Sequence, residues 1–331
     1  MANIPWTETE INSAIIAYFE LLEAQKSNAK TNKAEIYRAL NKKHPIRSPK
    51  SFEFKFQNIS AVLYEQKLPF ADGLRPKANY QAALKEHILA YLDKAGLKKQ
   101  SAIEILTTKL QRLHRRDYLK IHGAGSGRFG LSLEHYLNIP QNSSKDADFM
   151  GIELKTKHDK GLQTLFSRVP TSYLACKDKT ELVTRFGYYD SKRKRQALYT
   201  SFNNQPDSLG FYMTPKESQV VVNKKRMAIL DYDGETLRDA LLEKHNETAY
   251  VAVSSKKLKN GKVGCRFEKL LYCKTPSYAK FIRMARDGYV YLDLTLSVKA
   301  GKSRDHGFLW RIPHEKVAEL YQVTRLIDLC S

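Results

Sequence analysis

Cysteine is scarce, with 4 in 331 residues, and what there is shows no pattern. Cys176, Cys265, Cys273 and Cys330 include no C-x2-C pair and have no companion histidines at finger spacing, which excludes a zinc finger and a disulfide-stapled scaffold. The histidines are equally unorganised. His44, His87, His114, His122, His135, His158, His245 and His314 carry no H-N-H or H-E-x-x-H spacing and read as surface or packing residues. No apolar run approaches the ~18 residues of a membrane span. Ile11 to Phe19, bracketed by Glu10 and Glu20, reads as a core helix rather than a signal peptide, so a cytoplasmic, membrane-free protein is expected. Gly123-Ala124-Gly125-Ser126-Gly127 has no following G-K-[ST], which argues against a Walker-type phosphate cradle. No internal repeat or low-complexity tract is present.

Acidic residues are also in deficit. Against 56 Lys and Arg stand 35 Asp and Glu, a net charge of +21 with a pI near 9.6. The excess is not a tail: residues 1–120 carry 21 basic and 12 acidic side chains, and residues 121–331 carry 35 and 23. Positive charge in both halves fits a polyphosphate lying across the whole body, with nucleic acid the leading partner. A hydrophobic fraction of 42% and a mean hydropathy of -0.51 describe a folded, soluble chain of about two domains.

The N-terminal third reads as helical. Thr7-Glu8-Thr9-Glu10 has the form of a capping box, and Ile11, Ile15, Phe19 and Leu22 repeat at helical spacing. Asn32 caps a second helix carrying Ile36 and Leu40. Ser48-Pro49 opens a third with Phe52, Phe56, Ile59 and Leu63 on one stripe. Three short helices suggest a helix-turn-helix module, with Arg47, Lys50, Lys55, Gln57 and Asn58 as residue types that contact phosphates or base edges; a solvated polar face is the plainer alternative. Further helices are expected over 79–94 and 103–113, with a hinge over 96–100. Beyond residue 140 the period shifts toward two, predicting strands at 151–157, 219–222, 249–253, 266–273 and 289–296 and a helix at 236–244.

One segment carries chemistry. In Asp148-Phe149-Met150-Gly151-Ile152-Glu153-Leu154-Lys155, a strand from Gly151 turns Ile152 and Leu154 to one face and Glu153 and Lys155 to the other. Asp148 at the strand entry can then join Glu153 on a divalent cation, with Lys155 beside the attacking water. Three other acid-x-lysine triplets, at Glu53, Glu65 and Asp190, have no acid five residues earlier. Asp146 is a competing first acid, and an incidental surface ion pair is the alternative to a site.

Upstream, Gly127-Arg128-Phe129-Gly130-Leu131-Ser132-Leu133-Glu134 forms a helix bearing a glutamate. Together with the Asp148 to Thr156 segment it resembles the MvaI/BcnI group of type II restriction endonucleases and the related MutH-type nickases. Thr164-Leu165-Phe166 looks like the continuation after the family's catalytic strand. Arg304-Asp305-His306-Gly307 followed by Trp310-Arg311-Ile312 is similar to its base-reading hairpin. The resemblance, covering about residues 105–331, implies an α/β fold: a PD-(D/E)XK core with a central mixed sheet flanked by helices, over 99–331. Residues 1–98 resemble a winged-helix-type, helix-turn-helix module fused to bacterial nucleases.

Carried over by position, the resemblance makes Asp148 and Glu153 ligands of one or two Mg2+, Lys155 the residue that activates water, and Glu134 an accessory acid. Arg304, Asp305, His306 and Arg311 become candidate readers of double-stranded DNA. The implied protein is a bacterial-type, monomeric endonuclease leaving 5′-phosphate and 3′-hydroxyl ends, paired with a cognate DNA methyltransferase. A non-cleaving DNA-binding regulator and a mismatch- or modification-dependent nickase are the rival readings.

Overall fold

The computed structural model describes residues 5–27, 29–95, 101–125, 127–139, 147–158, 161–259, 261–299 and 302–330, without the side chains of 302–306. The expected hinge over 96–100 and the alternative acid Asp146 lie outside the described residues. The chain divides into two compact units.

The first unit takes Met1–Thr156, Val253–Glu268 and Asp328–Ser331. It opens with α1 (Glu8–Lys26), α2 (Lys33–Lys43) and α3 (Pro49–Glu65), each starting where the sequence placed its cap. Thr7 and Glu10 form the reciprocal capping box, Asn32 accepts from the Ala34 and Glu35 amides, and Ser48 accepts from the Ser51 amide. Their apolar stripes meet in an aromatic core in which Tyr18, Phe52, Phe56 and Phe70 are fully buried. The Tyr18 hydroxyl is satisfied within that core by Ser60 and by the amide of Ala71.

A strap without regular structure follows α3 and is pinned at both ends. Asp72 binds Lys109 and Arg112, while the Asn58 amide donates to the carbonyls of Lys77 and Asn79. Next come α4 (Ala82–Lys94), α5 (Ala102–Arg115), β1 (Leu119–Lys120), α6 (Arg128–Leu137) and β2 (Glu153–Lys157). No strand precedes β1 among the described residues, so the helical trio is present but the expected wing is not.

The second unit takes Lys157–Ala252 and Lys269–Ile327. Its elements are β3 (Leu162–Ser167), β4 (Ser172–Tyr173), α7 (Lys179–Phe186), β5 (Tyr188–Asp190), β6 (Arg195–Phe202), β7 (Phe211–Pro215), β8 (Gln219–Lys224), β9 (Met227–Asp233) and α8 (Gly234–His245). There follow β10 (Glu247–Lys257), β11 (Val263–Pro276), α9 (Tyr278–Arg286), β12 (Tyr291–Lys299), β13 (Lys302–Pro313), a 3-10 turn (His314–Leu320) and β14 (Tyr321–Asp328). Strands β10 and β11 each contribute residues to both units.

Within this unit β3-β13-β12-β6-β5 form one antiparallel sheet and β4-β9-β8-β7 another. Trp310, entirely buried, packs on Phe166, Tyr232 and Phe281 at the centre of a single apolar core. A further sheet runs β1-β11-β10-β2, with β14 pairing β11, so the chain is mixed α/β as expected. His245 has the packing role assigned to it: buried, it donates to the Leu165 carbonyl and accepts from the Tyr321 hydroxyl.

Candidate active site on a two-residue hairpin

The acid pair owes its geometry to a tight turn. Phe149 and Ile152 exchange both backbone hydrogen bonds, at 3.0 and 2.9 Å, closing a two-residue loop of Met150 and Gly151. Both loop residues have positive φ, 50° and 95°, the signature of a type I′ turn. Asp148 and Glu153 are therefore the next positions outward on the two arms of a hairpin. Opposite residues on a hairpin share a face, so the spacing of five between the acids becomes a side-by-side pair. The Asp148 carboxylate also accepts from the Leu154 amide at 2.9 Å, which tethers it across the turn.

Gly151 has nothing within 4 Å of where a Cβ would stand, so a side chain there meets only the backbone penalty of its positive φ. Gly151→Ala is expected to cost about 1–2 kcal/mol, concentrated in this turn. Cleavage rate should therefore fall more than the melting temperature does, and parallel activity and thermal-unfolding assays check this.

The strand β2 presents the rest. Ile152 and Leu154 are buried, and the Lys155 ammonium donates to the Glu153 carboxylate at 2.5 Å, as expected of residues two apart on one strand face. Glu153 is 5% exposed, whereas the Lys155 side chain keeps 25% of its surface. Glu134, near the end of α6, faces the same group. Its pKa is raised, first by partial desolvation, although the residue as a whole is exposed, and then by the negative charge of Asp148; Arg75 opposes this, Glu153 adds to it and Lys155 opposes it. Asp148, Glu153 and Lys155, all proposed from the sequence, thus lie within electrostatic reach of Glu134.

The donor set suits a hard divalent cation. Carboxylate oxygens are its preferred ligands, and mutual repulsion among the acids is what such an ion relieves. Among the described residues no group of three or more His, Cys, Asp and Glu is gathered as a metal cage. Two carboxylates with water and phosphate completing the shell is the arrangement Mg2+ favours.

A family model described as the MvaI/BcnI restriction endonuclease family matches residues 107–321. The chain belongs to this family. MvaI/BcnI enzymes are type II site-specific deoxyribonucleases, and the hairpin described above falls inside the matched stretch. In fold, the chain is similar to a restriction endonuclease MvaI–cognate DNA complex, with a TM-score of 0.58 and 20% identity over 70% of this chain and 100% of that one. Against MvaI without DNA the TM-score is 0.42 at 21% identity, with the same coverage. The curated proteins include no match to this sequence.

The expected DNA readers fare unevenly. Arg304, Asp305 and His306 lie on β13, where Arg304 is opposite Ser297 and Asp305 opposite Leu296, next to a bulge. Arg311, further along β13, is committed internally: its guanidinium binds Asp293 and donates to the Leu162 carbonyl at 2.8 Å. Of the candidate readers in the helical trio, Lys50 alone is exposed. Asn58 clasps the strap, Gln57 has its amide oxygen buried without a partner, and Arg47 is locked to Glu10.

Lys55, expected on the DNA-facing side, is 5% exposed with its ammonium 4.2 Å from the Trp6 ring centroid. Burial, aided by the charge of Arg47, lowers its pKa to about 8. Between that value and the usual 10.5 the unfolded chain holds a proton the folded chain lacks, so Lys55 makes stability rise with pH across that window. Lys55→Met is therefore expected to raise the melting temperature at pH 7, with an advantage that shrinks between pH 8 and 10.5. Thermal scans at several pH values check this.

Two residues at the site went unnoticed in the sequence: Tyr64, hydrogen-bonded to the hairpin backbone, and Arg75, whose charge reaches Glu134. No local pattern marks either one. They arrive from α3 and the strap by tertiary packing.

Among the described residues no helix is long and apolar enough to cross a membrane.

Proposed function

We propose that this MvaI/BcnI-family enzyme is a Mg2+-dependent endonuclease of PD-(D/E)XK type, cutting double-stranded DNA at a specific sequence to leave 5′-phosphate and 3′-hydroxyl ends. The observation that carries the reading is the hairpin that pairs Asp148 with Glu153 and sets Lys155 on the same face. Asp148 and Glu153 would hold the cation. When bound, it supplies charge neutralisation at the phosphate and a bound water of lowered pKa.

The protein's own groups do the remainder. Lys155, fixed by Glu153 yet partly open to solvent, orients the attacking water and adds positive charge where the pentacoordinate phosphate gathers negative charge. Glu134, close enough to Asp148 and Glu153 to feel their charge, serves as the accessory acid. No covalent intermediate is needed.

Dispersed positive charge, +21 over the chain, supplies sequence-independent affinity, and Arg304, Asp305 and His306 are the proposed base readers. The enzyme acts as a monomer, alongside a methyltransferase that protects host DNA. Supercoiled plasmid incubated with the protein and Mg2+ should yield discrete linear fragments that EDTA abolishes. Intact plasmid under both conditions would leave only a DNA-binding protein.

A further inference from the structure

The catalytic hairpin is held by a residue from outside the family-matched stretch, which begins at residue 107. Tyr64 lies in the last turn of α3. Its hydroxyl donates to the Asp148 carbonyl at 3.2 Å and accepts from the Met150 amide at 3.1 Å. Its ring meets Phe149 edge-on at 6.3 Å and Phe70 at 5.9 Å. The two hydrogen bonds thus straddle the turn, one on the residue that carries the carboxylate and one on a non-glycine residue in left-handed conformation.

A methionine at φ 50° is disfavoured in a free turn and persists only where surrounding contacts hold it. Tyr64 supplies two such contacts. It stands on a rigid base, since Phe56, Ile59 and Leu63 of the same helix are fully buried. The strap that follows α3 brings Arg75, a half-buried cation, to the same acids.

We propose that the helical segment before residue 107 is a structural part of the nuclease site rather than only a separate DNA-binding module, with Tyr64 as a positioning residue that fixes Asp148 through its backbone. The inference rests on the reading of Asp148 as a cation ligand. Groups that orient metal ligands typically change metal affinity or activity by about 10–100-fold when removed.

The test is Tyr64→Phe in the full chain, which keeps the ring contacts and deletes only the hydroxyl. Four measurements accompany it: Mn2+ binding to the DNA-free protein by calorimetry, single-turnover cleavage against Mn2+ concentration, DNA affinity without metal, and melting temperature. The expected result is Mn2+ binding weakened about 10–100-fold, cleavage recovering at high Mn2+, and unchanged DNA affinity. Wild-type Mn2+ affinity in the variant would overturn the inference, and so would a lowered melting temperature with Mn2+ affinity intact, which marks a packing role alone. A wild-type protein that neither binds Mn2+ nor cuts DNA would instead reject the nuclease reading itself.

Discussion

Lys155→Ala is expected to slow DNA cleavage by about 100- to 1000-fold while leaving DNA affinity nearly unchanged. The range is that of losing one preorganised charge from a site where the transition state gathers negative charge. The ammonium is preorganised here because Glu153, itself buried, holds it at 2.5 Å. Deleting it also leaves the Glu153 carboxylate buried without its counter-ion beside two other acids, so the variant loses both the positive charge at the phosphate and the poise of the ligand pair. Affinity survives because one charge in 56 basic residues barely alters a binding energy spread over many phosphates. Single-turnover rates alongside a binding titration separate the two effects, since an interaction made only in the transition state lowers the rate and not the affinity. Lys155→Arg should recover little, a planar fork being a poor substitute for a compact ammonium.

Arg47→Ala is expected to destabilise the protein by about 3–5 kcal/mol, the cost of stranding one member of a buried ion pair. Arg47 and Glu10 are both at least nine-tenths buried and joined twice, at 2.9 and 3.0 Å, with the guanidinium stacked 4.6 Å from the Trp6 centroid. The hydrogen bond from Arg47 holds the Glu10 carboxyl below its ordinary range, against the opposing effect of burial. A depressed carboxyl pKa stabilises the fold above the unfolded value of 4.5 and ceases to do so as pH falls through the folded one. The gap between wild type and Arg47→Ala should therefore be full at neutral pH and narrow on acidification below 4.5. Denaturant titrations at pH 7 and pH 4 read this directly. Because Tyr64 and the strap belong to the same unit as this pair, the variant should also lose cleavage at temperatures where that unit begins to open.

Arg47 and Lys55 show where sequence reading ends. A basic residue on a presumed recognition helix looks the same whether it faces DNA or its own core, and the difference lies in Trp6 and Glu10, which only tertiary packing brings alongside. Helix starts were legible because capping is local: Thr7, Asn32 and Ser48 act within three residues of themselves. The acid-acid-lysine spacing was legible for a similar reason, since a two-residue turn and a period of two are short-range geometry. The turn type was not, because a methionine with positive φ contradicts local preference and is imposed by its surroundings.

Alternation marks five of the strands, and β13 is among those it does not mark. Its opening run Lys302-Ser303-Arg304-Asp305-His306 has no apolar face, and pairing with β12 rather than pattern makes it a strand. Helix α9, by contrast, has a local signature: Ser277 caps it, and Tyr278, Phe281, Ile282 and Ala285 are buried at helical spacing.

The central claim is that Asp148 and Glu153, brought together by one hairpin, cut DNA at a fixed sequence. Digesting unmethylated genomic DNA and sequencing the ends of the fragments tests it most directly, with Glu153→Gln as the control. The expected result is a single short motif at every break, each bearing a 5′-phosphate, and no breaks with the variant. Breaks at unrelated sequences, or a Glu153→Gln variant that cuts as well as the wild type, would contradict it.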